Sequence, residues 1–141
     1  MNQKIDYYNE CDIDIPLDEK NILRIITGLM NDLGYPEFLI NVISFQDEAL
    51  REMKKEYFDQ DVYTDIISFN IDEDPLEGEL YISPERIIQN AQKYGQAIER
   101  EFARILIHGA CHLCGYNDIT EEEKTEMTAL ENRFLTQYFD N

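Results

Sequence analysis

The chain has 141 residues, 43% of them hydrophobic, and thirty acidic against twelve basic side chains give it a formal charge of −18. That hydrophobic share and length suit one packed domain over residues 1–141 and exclude a disordered chain. The acidic excess excludes a surface that attracts nucleic acid or anionic membrane over its whole extent, so any contact with phosphate needs the few basic side chains gathered in one place.

"KIDYYNE" alternates and is rich in β-formers, which predicts a first strand. "DEKNILRIITGLMNDLG" places Ile22, Leu23, Ile25, Ile26, Leu29, Met30 and Leu33 at helical spacing, with Asp18 to start the helix and Gly34 to end it. "EFLINVISF" reads as a second strand, and the helix before it implies a right-handed parallel crossover from the first. "QDEALREMKKEYF" is a short helix with a polar face, and "TDIISFNI" is a third strand. "DEDPLEG" is a turn punctuated by Pro75 and Gly78, leading into "ELYIS" as a fourth strand antiparallel to the third. Ser83-Pro84 opens a helix over Ile87, Ile88 and Ala91 that breaks at Gly95. "AIEREFARILIHGACHLCG" is a further helix ending near Gly115, and Thr120 with Glu123 forms a capping box for a last helix reaching about Tyr138. The expected fold class is α+β, a small mixed four-stranded sheet packed with about five helices.

Both histidines of the chain fall in "HGACHLCGYND". His108 and His112, four apart on a helix, share one face about one turn apart, so two imidazoles can reach one ion. Gly115 can end the helix in a left-handed turn, after which the chain doubles back and Asp118 can return a carboxylate to that face. Two neutral imidazoles and one carboxylate suit a single Zn2+ with one position left for water. Cys111 and Cys114 form a C-x2-C, a spacing also used by redox pairs and zinc ligands. Their place on an apolar stripe with Leu106, Ile107 and Leu113 reads instead as buried core thiols. Three cysteines without an export-signal pattern in "MNQKIDYYNECDID" point to reduced thiols and a cytoplasmic location. A metallopeptidase of the zincin type needs a Glu directly after the first histidine as general base, and Gly109 stands there.

The stretch from His108 to Asp118 resembles the signature H-G-x-L-H-L-x-G-Y-D-H of the endoribonuclease YbeY family. "TDIISFNID" from Thr64 resembles that family's T-D-V-L-S-F-P stretch, and "GELYIS" from Gly78 its G-D-I-x-I strand. The resemblance implies a zincin-like metal helix and a zinc-dependent, single-strand-specific endoribonuclease. It further implies action at the 3′ end of small-subunit rRNA and in ribosome quality control, with the small ribosomal subunit and an assembly GTPase as partners. Three positions depart from the pattern. Asp118 replaces the usual third histidine, Asn117 replaces the aspartate before it, and Phe58 falls where the family carries an arginine thought to act in RNA cleavage.

Arg104, one turn before His108, is a candidate to offset charge on the reacting phosphate, and a salt bridge with Glu101 is its plain structural alternative. Arg51, Lys54 and Lys55 form the one basic cluster and the candidate RNA-binding patch, set against a solvated helix face. Tyr116 and Phe69 are candidates for base stacking or for core packing. Two other function classes stay open: a non-catalytic ribosome-assembly factor with a structural zinc, and a zincin-like metallohydrolase on another substrate. Binding to naked RNA is expected to be weak and strongly salt-dependent. Changing Arg51, Lys54 and Lys55 together to Glu should weaken RNA association far more than the same change at Lys4, Lys20 and Lys124. Equal binding by the two triple variants in a salt titration would reduce the cluster to a solvated helix face.

Overall fold

The computed structural model describes residues 2–140. In chain order the elements are β1 (Gln3–Asn9), α1 (Glu19–Asp32), β2 (Phe38–Ser44), α2 (Asp47–Phe58), β3 (Ile66–Glu73), β4 (Leu76–Ile82), α3 (Pro84–Lys93), α4 (Ile98–Leu113) and α5 (Glu121–Tyr138). The expected α+β class, with five helices and a four-stranded mixed sheet, is what the chain forms.

The local signals act where they stand. Asp18 accepts a hydrogen bond from the Asn21 N–H at 2.9 Å and caps α1, whose Ile22, Ile25, Ile26, Leu29 and Met30 are buried. Ser83 caps α3 by accepting from the Arg86 N–H, with Pro84 in the first turn. Thr120 and Glu123 satisfy each other's backbone N–H groups at the start of α5.

The sheet order is β1-β2-β4-β3. The α1 crossover makes β1 and β2 parallel, and β3 and β4 form an antiparallel hairpin, as the sequence implies. The hairpin enters the sheet through β4, which pairs in parallel with β2 from Phe38↔Leu76 to Ser44↔Ile82 and leaves β3 at the edge. The turn is tighter than expected. Pairing continues to Glu73↔Leu76, and a bulge between Asn70 and Asp72 leaves Ile71 outside the ladder and 56% exposed.

Helix α4 is the central packing element. It contacts α1, α3, α5, β3 and β4, and ten of its residues are buried. Its apolar side chains join those of α1, the sheet and α5 in one continuous core, with Phe38, Phe102 and Phe134 as the largest fully buried members. The contact with the sheet is close because position 109 has no side chain. A Cβ built on Gly109 would lie 2.4 Å from Ile66 Cδ1 and 3.0 Å from Leu80 Cδ2. Ser68 Oγ donates to the Gly109 carbonyl at 3.2 Å, and Asn70 Nδ2 to the Leu113 carbonyl at 3.0 Å, so polar bonds also tie α4 to β3. Gly109→Ala should therefore overpack this seam and destabilise the protein by about 1–3 kcal/mol. Urea unfolding checks this, and an unchanged midpoint would show that the seam is slack.

Candidate metal centre

The last two turns of α4 carry His108 and His112 on one face, as their spacing requires. Gly115 at φ +93° then reverses the chain: its N–H donates to the His112 carbonyl and the Tyr116 N–H to the Cys111 carbonyl. This paired closure turns the following loop back over the helix end and brings Asp118 to the two histidines.

The three side chains converge closely enough that they could hold a cation. His108 Nε2 and His112 Nε2 are 3.1 Å apart, Asp118 Oδ2 is 3.3 Å from the first, and Asp118 Oδ1 is 3.5 Å from the second. Ligands at about 2.0–2.1 Å from a tetrahedral ion are separated by about 3.3 Å. The three side chains therefore span one face of such a tetrahedron. Their chemistry fits as well. His108 Nδ1 lies 2.6 Å from Glu131 Oε2, which holds the Nδ1–H as donor and leaves Nε2 with its lone pair facing His112 and Asp118. Acceptors converging in this way are mutually repulsive until a cation or a proton sits between them.

Glu131 is 6% exposed and comes from the middle of α5. It also accepts from Arg104 Nη1 at 3.0 Å, and Arg104 holds Glu101 through Nε at 2.9 Å and Nη2 at 2.5 Å. Arg104 is thus committed to two carboxylates behind the histidines and is absent from the lining of the groove in front of them. Burial lowers the affinity of His108 for a proton, but Glu131, Asp118 and Asp65 more than offset this, so its pKa stands above the ordinary value. Burial would raise Glu131, yet His108 and Arg104 hold it below the usual carboxylate range.

In front of the triad lies a groove of about 610 Å3. One side is formed by His108, His112, Leu113 and the loop Asn117–Ile119. The other is formed by Thr64, Asp65, Ile66 and Ser68, with Lys54 and Phe58 from α2. Asp65 is a second carboxyl of this groove that sequence reasoning did not single out, although it sits in the quoted "TDIISFNID" stretch. Its pKa is raised, chiefly by burial, with His108 and Arg104 pulling the other way. Glu131 was also missed, and no local pattern announces it.

The basic cluster divides. Lys54 lines the groove. Arg51 is held by Asp61 at 2.8 Å and by Tyr63, whose hydroxyl also donates to Glu48. Lys55 is exposed and outside the groove lining. Tyr116 packs partly buried against the core, and Phe69 belongs to an aromatic cluster with Tyr57, Phe58 and Tyr81. Cys111 is fully buried and Cys114 only partly so, because Cys114 is the C-cap residue at the helix end, where its Sγ meets Met30 Sδ at 3.5 Å. Both are free, and burial pushes each thiol up to about 12.

Comparison with known proteins places these features in context. The sequence model of a family described as "Endoribonuclease YbeY" matches residues 6–139. A protein of that name from Christiangramia forsetii is 43% identical over 100 residues, covering 70% of each chain. The one from Bacteroides thetaiotaomicron is 41% identical over 117 residues, covering 82% of this chain and 80% of its own. The one from Flavobacterium psychrophilum is 32% identical over 132 residues, covering 93% and 94%. A solution structure of a Thermotoga maritima protein superposes with a TM-score of 0.62 at 21% identity, over 97% of this chain and 93% of that one, and supports the fold.

Glu131→Gln should lower zinc affinity about 10- to 100-fold, because the histidine loses the carboxylate that orients it. Affinity should also fall as pH drops through the raised His108 pKa, since the proton competes for Nε2. The metal-free chain should respond oppositely. The stabilisation from His108 is fully present below its unfolded-state pKa and is lost as pH rises through the higher folded one. Competition titrations with a zinc chelator across pH, paired with unfolding of the metal-free protein, test both signs.

Proposed function

The chain belongs to the endoribonuclease YbeY family, and we propose on that premise that it cleaves single-stranded RNA at one zinc ion held by His108, His112 and Asp118. By the same reading the substrate is the 3′ end of small-subunit rRNA, the setting is the cytoplasm, and the partners are the small ribosomal subunit and its assembly factors. The observation that carries the proposal is the convergence of two Nε2 atoms and one carboxylate at the spacing of a tetrahedral face, open to a groove.

That openness favours catalysis over a structural zinc. Structural zinc sites are closed by four protein ligands, whereas catalytic sites keep a position free. Among the described residues only three candidate ligands converge here. Cys111, the nearest thiol in sequence, is buried in the core instead. The peptidase alternative meets a steric obstacle besides the missing base, since a side chain at position 109 would collide with Ile66 and Leu80.

A divalent ion at this site supplies Lewis-acid polarisation of a phosphate oxygen and activation of a water. The protein's residues supply the rest. Glu131 fixes the His108 tautomer, and Arg104, buttressed by Glu101, fixes Glu131. Arg104 on this reading positions rather than touches substrate. Asp65, on the opposite wall, is the groove carboxyl placed to accept a proton from the attacking water, and its partial burial raises its basicity toward that role. Asp118 in place of a third histidine would leave a bound ion with less net positive charge, which makes Lys54, the basic side chain of the groove lining, matter more.

Chelation should abolish cleavage of single-stranded RNA and zinc should restore it. Asp65→Asn should lower the cleavage rate at least about 100-fold while zinc content stays at one per chain. A variant that cleaves normally would remove Asp65 from the chemistry. Zinc-loaded protein that leaves single-stranded RNA intact would overturn the catalytic reading in favour of a structural metal.

A further inference from the structure

Lys54 and Phe58 stand one turn apart on α2, and both line the groove that the metal triad faces. Lys54 Nζ lies 4.7 Å from the centre of the Phe58 ring. Among the described residues no carboxylate lies within ion-pair distance of Lys54, whereas Arg51 is tied to Asp61 and Glu48. Lys54 is also the one Lys or Arg in the groove lining.

Phe58 is an unusual companion for it. The ring is 43% exposed, and its neighbour Tyr57 is 61% exposed. Phe58 is nevertheless braced, stacked on Phe69 with centroids 5.8 Å apart and planes at 29°. Phe69 in turn meets Tyr57 and Tyr81 edge-on. A ring serving only the core would be buried, whereas Phe58 is half-exposed yet backed by Phe69, which two further rings hold in turn. The groove therefore offers an exposed aromatic face, a cation without a carboxylate partner and the His108–His112–Asp118 triad together. A nucleotide carries the complementary parts in one unit, a flat base and a phosphate.

We propose that Lys54 and Phe58 form a nucleotide-holding pair, in which Phe58 stacks an unpaired base of single-stranded RNA and Lys54 swings from the ring to the adjoining phosphate. This rests on the RNA-cleavage reading above and assigns substrate positioning within it. It also accounts for Phe58 at a position where the family resemblance leads one to expect arginine. The ammonium of Lys54, reaching forward one helical turn, delivers positive charge to the same spot, and position 58 is free to bind the base. The weak attraction between ammonium and ring holds Lys54 at the groove until RNA exchanges it for a phosphate contact and a stacked base.

The test uses the full-length zinc-loaded protein and a short single-stranded RNA containing 2-aminopurine, with affinity read by anisotropy across a salt series and stacking by fluorescence quenching. Lys54→Gln should weaken binding roughly 5- to 10-fold and reduce the salt slope by about 0.7, the value for one phosphate contact on a single strand. Phe58→Leu should weaken binding at least about 5-fold, leave the salt slope unchanged and abolish the quenching, while Phe58→Tyr retains it. Lys20→Gln should match the unmodified protein, and zinc content should be equal in all variants, which separates lost positioning from lost folding. If the unmodified protein binds and cleaves RNA and the Lys54 and Phe58 variants bind as well as it does, the pair is a solvated helix face and the RNA reading survives without it. If the unmodified protein neither binds nor cleaves RNA, both readings fall.

Discussion

The absence of a side chain at position 109 sets the geometry of everything around it. Helix α4 can rest against β3 and β4 only because the Gly109 Cα passes Ile66 and Leu80 with no room for a Cβ. That approach places His108 and His112, on either side of the glycine, beside the start of β3 and makes the two walls of one groove. The hydrogen bond from Ser68 to the Gly109 carbonyl locks the same seam. The residue that excludes a peptidase base at this position is therefore also the one that builds the groove.

Around this seam the protein invests buried charge in orientation rather than in stability. A buried ion pair repays its desolvation only when its partners are fully satisfied. Here Glu131 has both His108 and Arg104, and Arg104 has both Glu131 and Glu101. Both carboxylates are nearly inaccessible to water. The arrangement holds one imidazole in one tautomer with its free nitrogen directed at the groove. The chain runs His108 to Glu131 to Arg104 to Glu101, so the imidazole is braced from α5 as well as from its own helix.

The electrostatics of the groove follow from the overall charge of −18. Asp65 and Asp118 bring negative charge to the place where a phosphate has to approach, and Lys54 is the one basic side chain in the lining. A bound divalent ion would therefore carry most of the attraction for an anionic substrate. The isolation of Lys54 from carboxylates keeps its charge available, whereas Arg51, of the same formal charge, is neutralised by its own neighbours. Position within the charge pattern, more than residue type, separates the two.

The elements and the convergence of His108, His112 and Asp118 were legible in the sequence because both are written in short-range code. Caps at Asp18, Ser83 and Thr120, and the reversal at Gly115, depend on residues within a few positions of one another. The four-residue spacing of His108 and His112 likewise sets their shared face through helix geometry alone. Tertiary structure decided what depends on distant segments meeting. The insertion of β4 between β2 and β3 joins strands whose order no local pattern records. Glu131 reaches His108 across 23 residues and a helix reversal, and it also engages Arg104, which the sequence offers as a candidate for phosphate contact. Of three basic residues on one helix, packing sent Lys54 to the groove, bound Arg51 to Asp61 and left Lys55 in solvent. Periodicity says which residues share a face of their own helix, but only the packed chain determines what that face meets.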